Sequence, residues 1–222
     1  MHLKLPAVRF RQLPERVVVP GPRPRDQVGS HRHGVITTNA SLDGVVQDPD
    51  GQESFKHGGW FTRSGGADLA AWTRHETDET LRAEALLLGR RSDEWFATRW
   101  AARTGEWADK LNSMPKYVVS STAGQAQWGN STVLKGDLVS EVSKLKLQVA
   151  GEILVYASYQ LGHALLEHDL VDEVRFVVFP VVVGDGERLF GQAGDEKPMR
   201  LTEARALGEN LAFLSYQPVR TA

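Results

Sequence analysis

Apolar and polar positions change period several times along this chain, and each change marks an element. HGVITTNASL (33–42) is β-branched and predicts a strand. Residues 67–84, rich in Ala, Leu, Glu and Arg, predict a helix, and EALLLG (84–89) predicts a buried strand. SDEWFATRWA (92–101) and EWADKLNSM (106–114) read as helices; KYVVSS (116–121) and STVLKG (131–136) read as strands. In DLVSEVSKLKLQV (137–149), Asp137 stands where an N-cap would, and Leu138, Val142, Leu145 and Val149 share one helical face. EILVYA (152–157) is a strand and SYQLGHALLEHDL (158–170) a helix. VDEVRFVVFPVVVGDGERLF (171–190) predicts a long strand broken at Gly184-Asp185-Gly186, and NLAFLSYQPV (210–219) alternates cleanly as a last strand.

Strand and helix alternate for most of this length. The expected fold is therefore α/β, a mostly parallel central sheet with helices on both faces. The last two strands have no long helical pattern between them and predict an antiparallel C-terminal edge, which makes the sheet mixed. No internal repeat is present.

The first 32 residues do not share these periods. Residues 1–34 hold seven Lys/Arg (Lys4, Arg9, Arg11, Arg16, Arg23, Arg25, Arg32) against Glu15 and Asp26, a net +5 that leaves −7 for the rest of a chain whose total is −2. Prolines at 6, 14, 20, 22 and 24 exclude a helix there. Residues 1–32 are expected to be a disordered basic extension rather than an arm for an acidic partner, and 33–222 a single domain. No apolar stretch suits a secretory signal.

Composition narrows the function. A net charge of −2 gives no overall attraction to nucleic acid or membrane, and no apolar run reaches the roughly 20 residues of a membrane span. With no cysteine, disulfides, thiol nucleophiles and Cys-ligated zinc are excluded, which fits a reducing cytoplasm. The seven histidines lack metal-ligand spacing, so no metal is expected.

In open α/β sheets, ligands bind beyond the carboxyl ends of the strands. Three such ends carry suitable groups. Gly89-Arg90-Arg91-Ser92 leaves a strand and opens a helix, whose free N–H groups suit a phosphate. Ser120 and Ser121 end the next strand, and Ala157-Ser158 ends a third and starts a helix. Each alone is an ordinary turn or cap; together they fit an extended phosphorylated ligand. Neither G-x-G-x-x-G nor G-x-x-x-x-G-K-[ST] occurs.

TTNASLDGVVQDP, LLLGRRSDEWF, MPKYVVSST and LLEHDLVDEVRFVVFPVVVGDGERLF follow one another with spacings that resemble the dihydrofolate reductase-like family. Within it, residues 35–218 are similar to the reductase domain of bacterial riboflavin biosynthesis (RibD C-terminal) and its stand-alone relatives. The resemblance implies the three-layer dihydrofolate reductase-like fold and NADPH as hydride donor. It also implies reduction of a heterocycle or a 5-amino-6-ribosylaminouracil-like substrate, and a two-fold homodimer. By the same resemblance, Gly89, Arg90, Arg91 and Ser92 meet the cofactor phosphates, with Arg90 ranked above Arg91. Ser120 and Ser121 lie beside the adenosine 2′-phosphate, and Ser41, Leu42, Asp43 and Gly44 lie over the nicotinamide and substrate. Relatives carry a Gly-Ser-Gly-type turn where this chain has Ala157-Ser158-Tyr159, so either a variant cofactor site or a lost one is implied.

For the substrate, a carboxylate is the usual handle on a protonatable heterocycle. Asp43 is the first candidate; Asp68, in GADLAAWTR, is the second, with an N-terminal helix charge as its alternative role. His57, Trp60 and Phe61 could wall the pocket or form mobile surface. The rival function is a non-catalytic nucleotide-binding or dimerisation module that kept the fold.

Overall fold

The computed structural model describes residues 33–120, 124–190 and 196–220. The expected N-terminal extension and Ser121 lie outside them. Eight strands form one sheet: β1 (His33–Ser41), β2 (Ala83–Gly89), β3 (Lys116–Val119), β4 (Ser131–Leu134), β5 (Glu152–Tyr156), β6 (Glu173–Phe179), β7 (Met199–Leu207) and β8 (Leu211–Pro218). Their order is β4-β3-β2-β5-β1-β6-β8-β7. The first six are parallel, and β8 runs antiparallel to both β6 and β7. The helices are α1 (Trp60–Gly65), α2 (Leu69–Arg82), α3 (Arg90–Trp100), α4 (Glu106–Ser113), α5 (Leu138–Gln148) and α6 (Tyr159–Glu167), with a 3-10 turn at Gly66–Asp68 before α2.

The sheet is built as its apolar runs require. Leu86 and Leu88 point to one face, among Phe96, Trp100, Leu111 and Trp128. Leu87 points to the other, with Val142, Leu145, Leu161 and Leu165 of α5 and α6. Burying three leucines on two faces, each worth about 1.5–3 kcal/mol, is what the unbroken LLL run encodes. Asp137 caps α5 by accepting from the Ser140 N–H at 2.9 Å. A run of aromatic rings crosses the α2/α3/α4 side: Phe61–Trp72 at 4.7 Å, Trp72–Trp107 at 5.6 Å and Trp107–Trp100 at 4.8 Å between centroids.

Two expectations are corrected. The strand expected to run to Gly184 ends at Phe179, because Pro180 brings no N–H to the ladder; Val181–Val183 continue as loop. The final strand also has a partner the sequence reading omitted. β7 forms the outer edge, and the antiparallel β8 sits between it and β6. Residues 201–206 of β7 are all exposed, so no buried alternation marks them.

Candidate functional site

The carboxyl ends of β1, β2, β3, β5 and β6 share one edge of the sheet, and most of the residues singled out above lie along it. The turns after β2 and β5 are stapled together. The Gly89 N–H donates to Ser158 Oγ at 3.1 Å, Ser158 Oγ lies 2.7 Å from Ser92 Oγ, and Ser92 Oγ donates to the Ala157 carbonyl at 2.8 Å. Gly89, Ser92, Ala157 and Ser158, 65–69 residues apart in sequence, are thereby one unit. Neither N-cap residue, Gly89 of α3 or Ser158 of α6, bonds its own helix through a side chain.

Ala157 has φ +49°, a left-handed backbone that costs an L side chain about 1–2 kcal/mol. The strain sits where glycine would relieve it. Tyr159 opens α6 and packs against the core beneath, with its ring 6.3 Å from that of His163. Arg90 is paired with Glu94 at 2.7 Å. Arg91 is exposed, its charge felt by Tyr159 and by Glu53 of the loop after β1. Ser120 follows β3 directly at the same edge.

Ser41, Asp43 and Gly44 form a tight turn. Ser41 Oγ donates to Asp43 Oδ1 at 2.6 Å and accepts from the Val45 N–H at 2.9 Å. Gly44, at φ +82°, donates its N–H to the Ser41 carbonyl. Asp43 also accepts from the N–H groups of Val183 (3.0 Å) and Gly184 (2.8 Å), tying the loop after β1 to the one after β6. Burial pushes its carboxyl up, but hydrogen bonds from Ser41, Val183 and Gly184 outweigh that and bring it to about 2. It stays ionised and cannot deliver a proton near neutrality. Leu42, between them, is 63% exposed at the sheet edge.

Asp68 is engaged elsewhere. Its carboxylate accepts from the N–H groups of Glu209 (2.9 Å) and Asn210 (2.8 Å) and from Asn210 Nδ2 (3.0 Å), closing the β7–β8 turn. The Glu209 amide, then the Asn210 side chain, hold its carboxyl below the usual range. Trp60 is core, donating Nε1 to the Gln47 carbonyl at 3.0 Å, and Phe61 lies 4.9 Å from Phe179. His57 sits edge-on to Phe55 in the preceding loop. That loop is organised by Asp48, 2% exposed, which accepts from the N–H groups of Glu53 and Phe55 at 3.0 Å.

Sequence reasoning missed a polar layer between α2 and the sheet. Glu76 is fully buried and accepts from the Tyr156 hydroxyl at 2.6 Å, at the end of β5. Burial, with the charge of Glu79 added, pushes its carboxyl up to about 8. Glu79 accepts from Thr37 Oγ1 at 2.8 Å and from Arg175 at 3.2 Å; Arg175 also holds Glu152 at 2.9 Å and Glu173 at 2.7 Å. Trp72 Nε1 donates to Asn39 Oδ1 at 2.8 Å. The signal was spacing: the face begun by Leu69 and Trp72 continues through Glu76, Glu79 and Ala83, so the acids had to face the sheet.

An eight-stranded, mostly parallel sheet with one antiparallel strand at its C-terminal side, flanked by helices, is the dihydrofolate reductase-like fold. The family model of the RibD C-terminal domain matches residues 32–213, and the chain belongs to that family. Over 145 residues it is 24% identical to the uncharacterized protein YyaP of Bacillus subtilis (strain 168), spanning 63% of this chain and 77% of that one. A crystal structure of a putative riboflavin biosynthesis protein from Shewanella sp. PV-4 superposes with TM-score 0.65 at 20% identity, covering 85% of this chain and 99% of that one. Dihydrofolate reductase from Enterococcus faecalis, complexed with NADP(H), superposes with TM-score 0.50 at 13% identity, over 85% and 97% of the two chains. Among the described residues no cluster of His, Asp or Glu could hold a metal, and no helix is long and apolar enough to cross a membrane.

Proposed function

We propose that the protein is an NADPH-dependent reductase acting on a small conjugated heterocycle or an aminopyrimidine-linked sugar. The observation that carries this reading is the stapled pair of turns, Gly89–Ser92 with Ala157–Ser158, where two helices open side by side without side-chain caps. The left-handed Ala157 adds support, since it keeps the backbone a glycine-containing pyrophosphate turn would have. Bound NADPH would supply the hydride. The chain's own part is to hold phosphates at the two helix starts and to fix the loop over the sheet edge through Asp43. That carboxylate positions Ser41–Gly44 rather than donating a proton.

Within this reading the 2′-phosphate falls to Arg91. Arg90 is committed to Glu94, whereas Arg91 has no carboxylate within 4.0 Å among the described residues. One charge-assisted bond to phosphate is worth roughly 1.5–3 kcal/mol, and the exposure of Arg91 puts it at the lower end, about tenfold. Titration by nicotinamide fluorescence should show NADPH binding about tenfold tighter than NADH, and Arg91→Ala should remove the difference. Equal wild-type affinities, or binding of neither, would sink the proposal. We further propose a two-fold dimer through the exposed β7 edge, where Leu201 is 45% exposed; a monomer mass in light scattering at micromolar concentration would refute it.

A further inference from the structure

A second concave surface lies away from the carboxyl edge of the sheet. A groove of about 550 Å³ runs between α2, the α3–α4 connection and the first turn of α4. Helix α3 opens at the stapled turns and runs about 15 Å back toward the amino ends of the strands. There the Trp100 carbonyl accepts from Asn112 Nδ2 at 3.0 Å. The Asn112 carbonyl in turn accepts from Nζ of the buried Lys116, at the start of β3, also at 3.0 Å. The groove is therefore at the opposite end of α3 from the proposed cofactor turns, and the reductase reading makes no use of it.

Trp100 is the unusual member of its lining. It is 8% exposed, and its Nε1 is a buried donor with no hydrogen-bond partner among the described residues. Native structures rarely leave such a bond unmade, so an orphaned donor beside a groove points to an acceptor that arrives from outside. Trp107 is no substitute. Its own Nε1 is committed to Thr80 Oγ1 at 3.0 Å, and its ring meets that of Trp100 edge to face at 4.8 Å, where an N–H···π contact is second-order beside a bond to oxygen.

The same indole carries a cation. The guanidinium of Arg103, an exposed residue, lies over the Trp100 ring, 4.6 Å from the centroid, and pairs with no carboxylate among the described residues. Its planar fork is thus pre-oriented and open to an anion. Helix α4 adds further donors. It starts after Gly105, which has no side chain to cap it, and its first three residues, Glu106 to Ala108, line the groove. The Glu106 carboxylate stands in that turn and opposes a second negative charge on anything bound there. The half-buried Trp107 offers a flat apolar wall.

We propose that this groove is a second ligand site, and that it takes a planar aromatic monocarboxylate. The ring packs on the Trp107 indole. The carboxylate accepts from the Arg103 fork, from the first-turn N–H groups of α4 and from Trp100 Nε1. The ligand is not the hydride acceptor, and its binding needs no NADPH.

Three small probes separate these parts: benzoate, benzamide and cyclohexanecarboxylate. The amide keeps the ring and an acceptor oxygen but loses the charge; the cyclohexane acid keeps the charge but loses the flat ring. Calorimetry on the full chain without NADPH should show benzoate binding saturably, at least about tenfold tighter than either control. Trp100→Phe, which keeps a ring and removes the N–H, and Arg103→Ala should each weaken benzoate about tenfold, with NADPH affinity unchanged. Arg103 is exposed, so its variant also reads the site independently of any loss of core packing at Trp100. Glu106→Gln should tighten benzoate. Benzoate that does not saturate, that binds no better than the controls, that is indifferent to Arg103→Ala, or that is displaced by NADPH would overturn the inference. The reductase reading stands or falls separately, on NADPH binding alone.

Discussion

The two faces of the central strands solve the same burial problem differently. Toward α5 and α6, β1, β2 and β5 contribute Ile36, Leu87, Ile153 and Val155, and the contact is apolar throughout. Toward α2, neighbouring positions on β1, β5 and β6 contribute Thr37, Asn39, Tyr156 and Arg175, which meet Trp72, Glu76 and Glu79. The first face is held by area removed from water and tolerates any side chain of the right volume. The second is held by matched pairs and tolerates no missing partner. A fold can thus be equally buried on both sides and depend on quite different substitutions.

The sharpest way to break the contrast is to remove the hub. Arg175→Met keeps the volume but strands three carboxylates, and should cost about 3–5 kcal/mol in urea unfolding at pH 7. Adding Glu79→Gln should return part of that loss; no recovery would mean the layer is not a coupled network. On the opposite face, Leu87→Ala should cost about 2–5 kcal/mol, with no sensitivity to pH or salt. A pH-dependent loss there would blur the comparison.

Acidity separates the faces next. Glu76, raised to about 8 by burial from an ordinary 4.5, gives stability that is complete below pH 4.5 and is lost as pH rises through 8. His75, lowered to about 4 from 6.5 by burial and by Arg205, gives stability that is complete above pH 6.5 and is lost as pH falls through 4. The two oppose one another between pH 4.5 and 6.5. Above 6.5 the His75 contribution is complete while that of Glu76 is still falling, and Glu79, also raised by burial, acts in the same direction, so the wild type should lose stability toward pH 8 and Glu76→Gln should flatten that limb in part. A limb unchanged in Glu76→Gln would show that the carboxyl is already ionised at neutrality. The smallest effect lies at the sheet edge: Ala157→Gly should stabilise by about 1 kcal/mol by relieving the left-handed backbone, read as a rise in melting temperature. A fall would mean that the methyl group makes contacts worth more than the strain.

The apolar face was legible from sequence because its pattern is simple. Leu86–Leu88 announce a strand buried on both sides, and Val142 and Leu145 announce the helix that covers it. The edge residues were legible as a set: Gly89, Ser92, Ala157 and Ser158 do converge. Which residues are already occupied was legible only in part. The Arg90–Glu94 pair, four residues apart where a helix opens, could have been read from spacing, whereas only geometry shows Asp68 closing a hairpin with residues 141 and 142 positions away. The polar face was missed because HETDETLR looks like a solvated helix surface to any reading by residue type. β7 was missed because an exposed edge strand carries no alternation, and the Val181–Val183 run was overread because hydrophobicity does not register a proline's missing donor.

The aromatic run across α2, α3 and α4 has an optical consequence. Trp72, Trp107 and Trp100 lie at 5.6 Å and 4.8 Å from one another, and indoles this close share excitation and couple their transition dipoles. Their near-ultraviolet dichroism should be that of a coupled set, not a sum of separate chromophores. Trp95 joins through Phe96, whose ring lies 4.9 Å from Trp95 and 6.0 Å from Trp100. A change in the stacking of Arg99 on Trp95 would therefore be seen in the emission of the whole group, and the protein carries its own reporter of the state of α3.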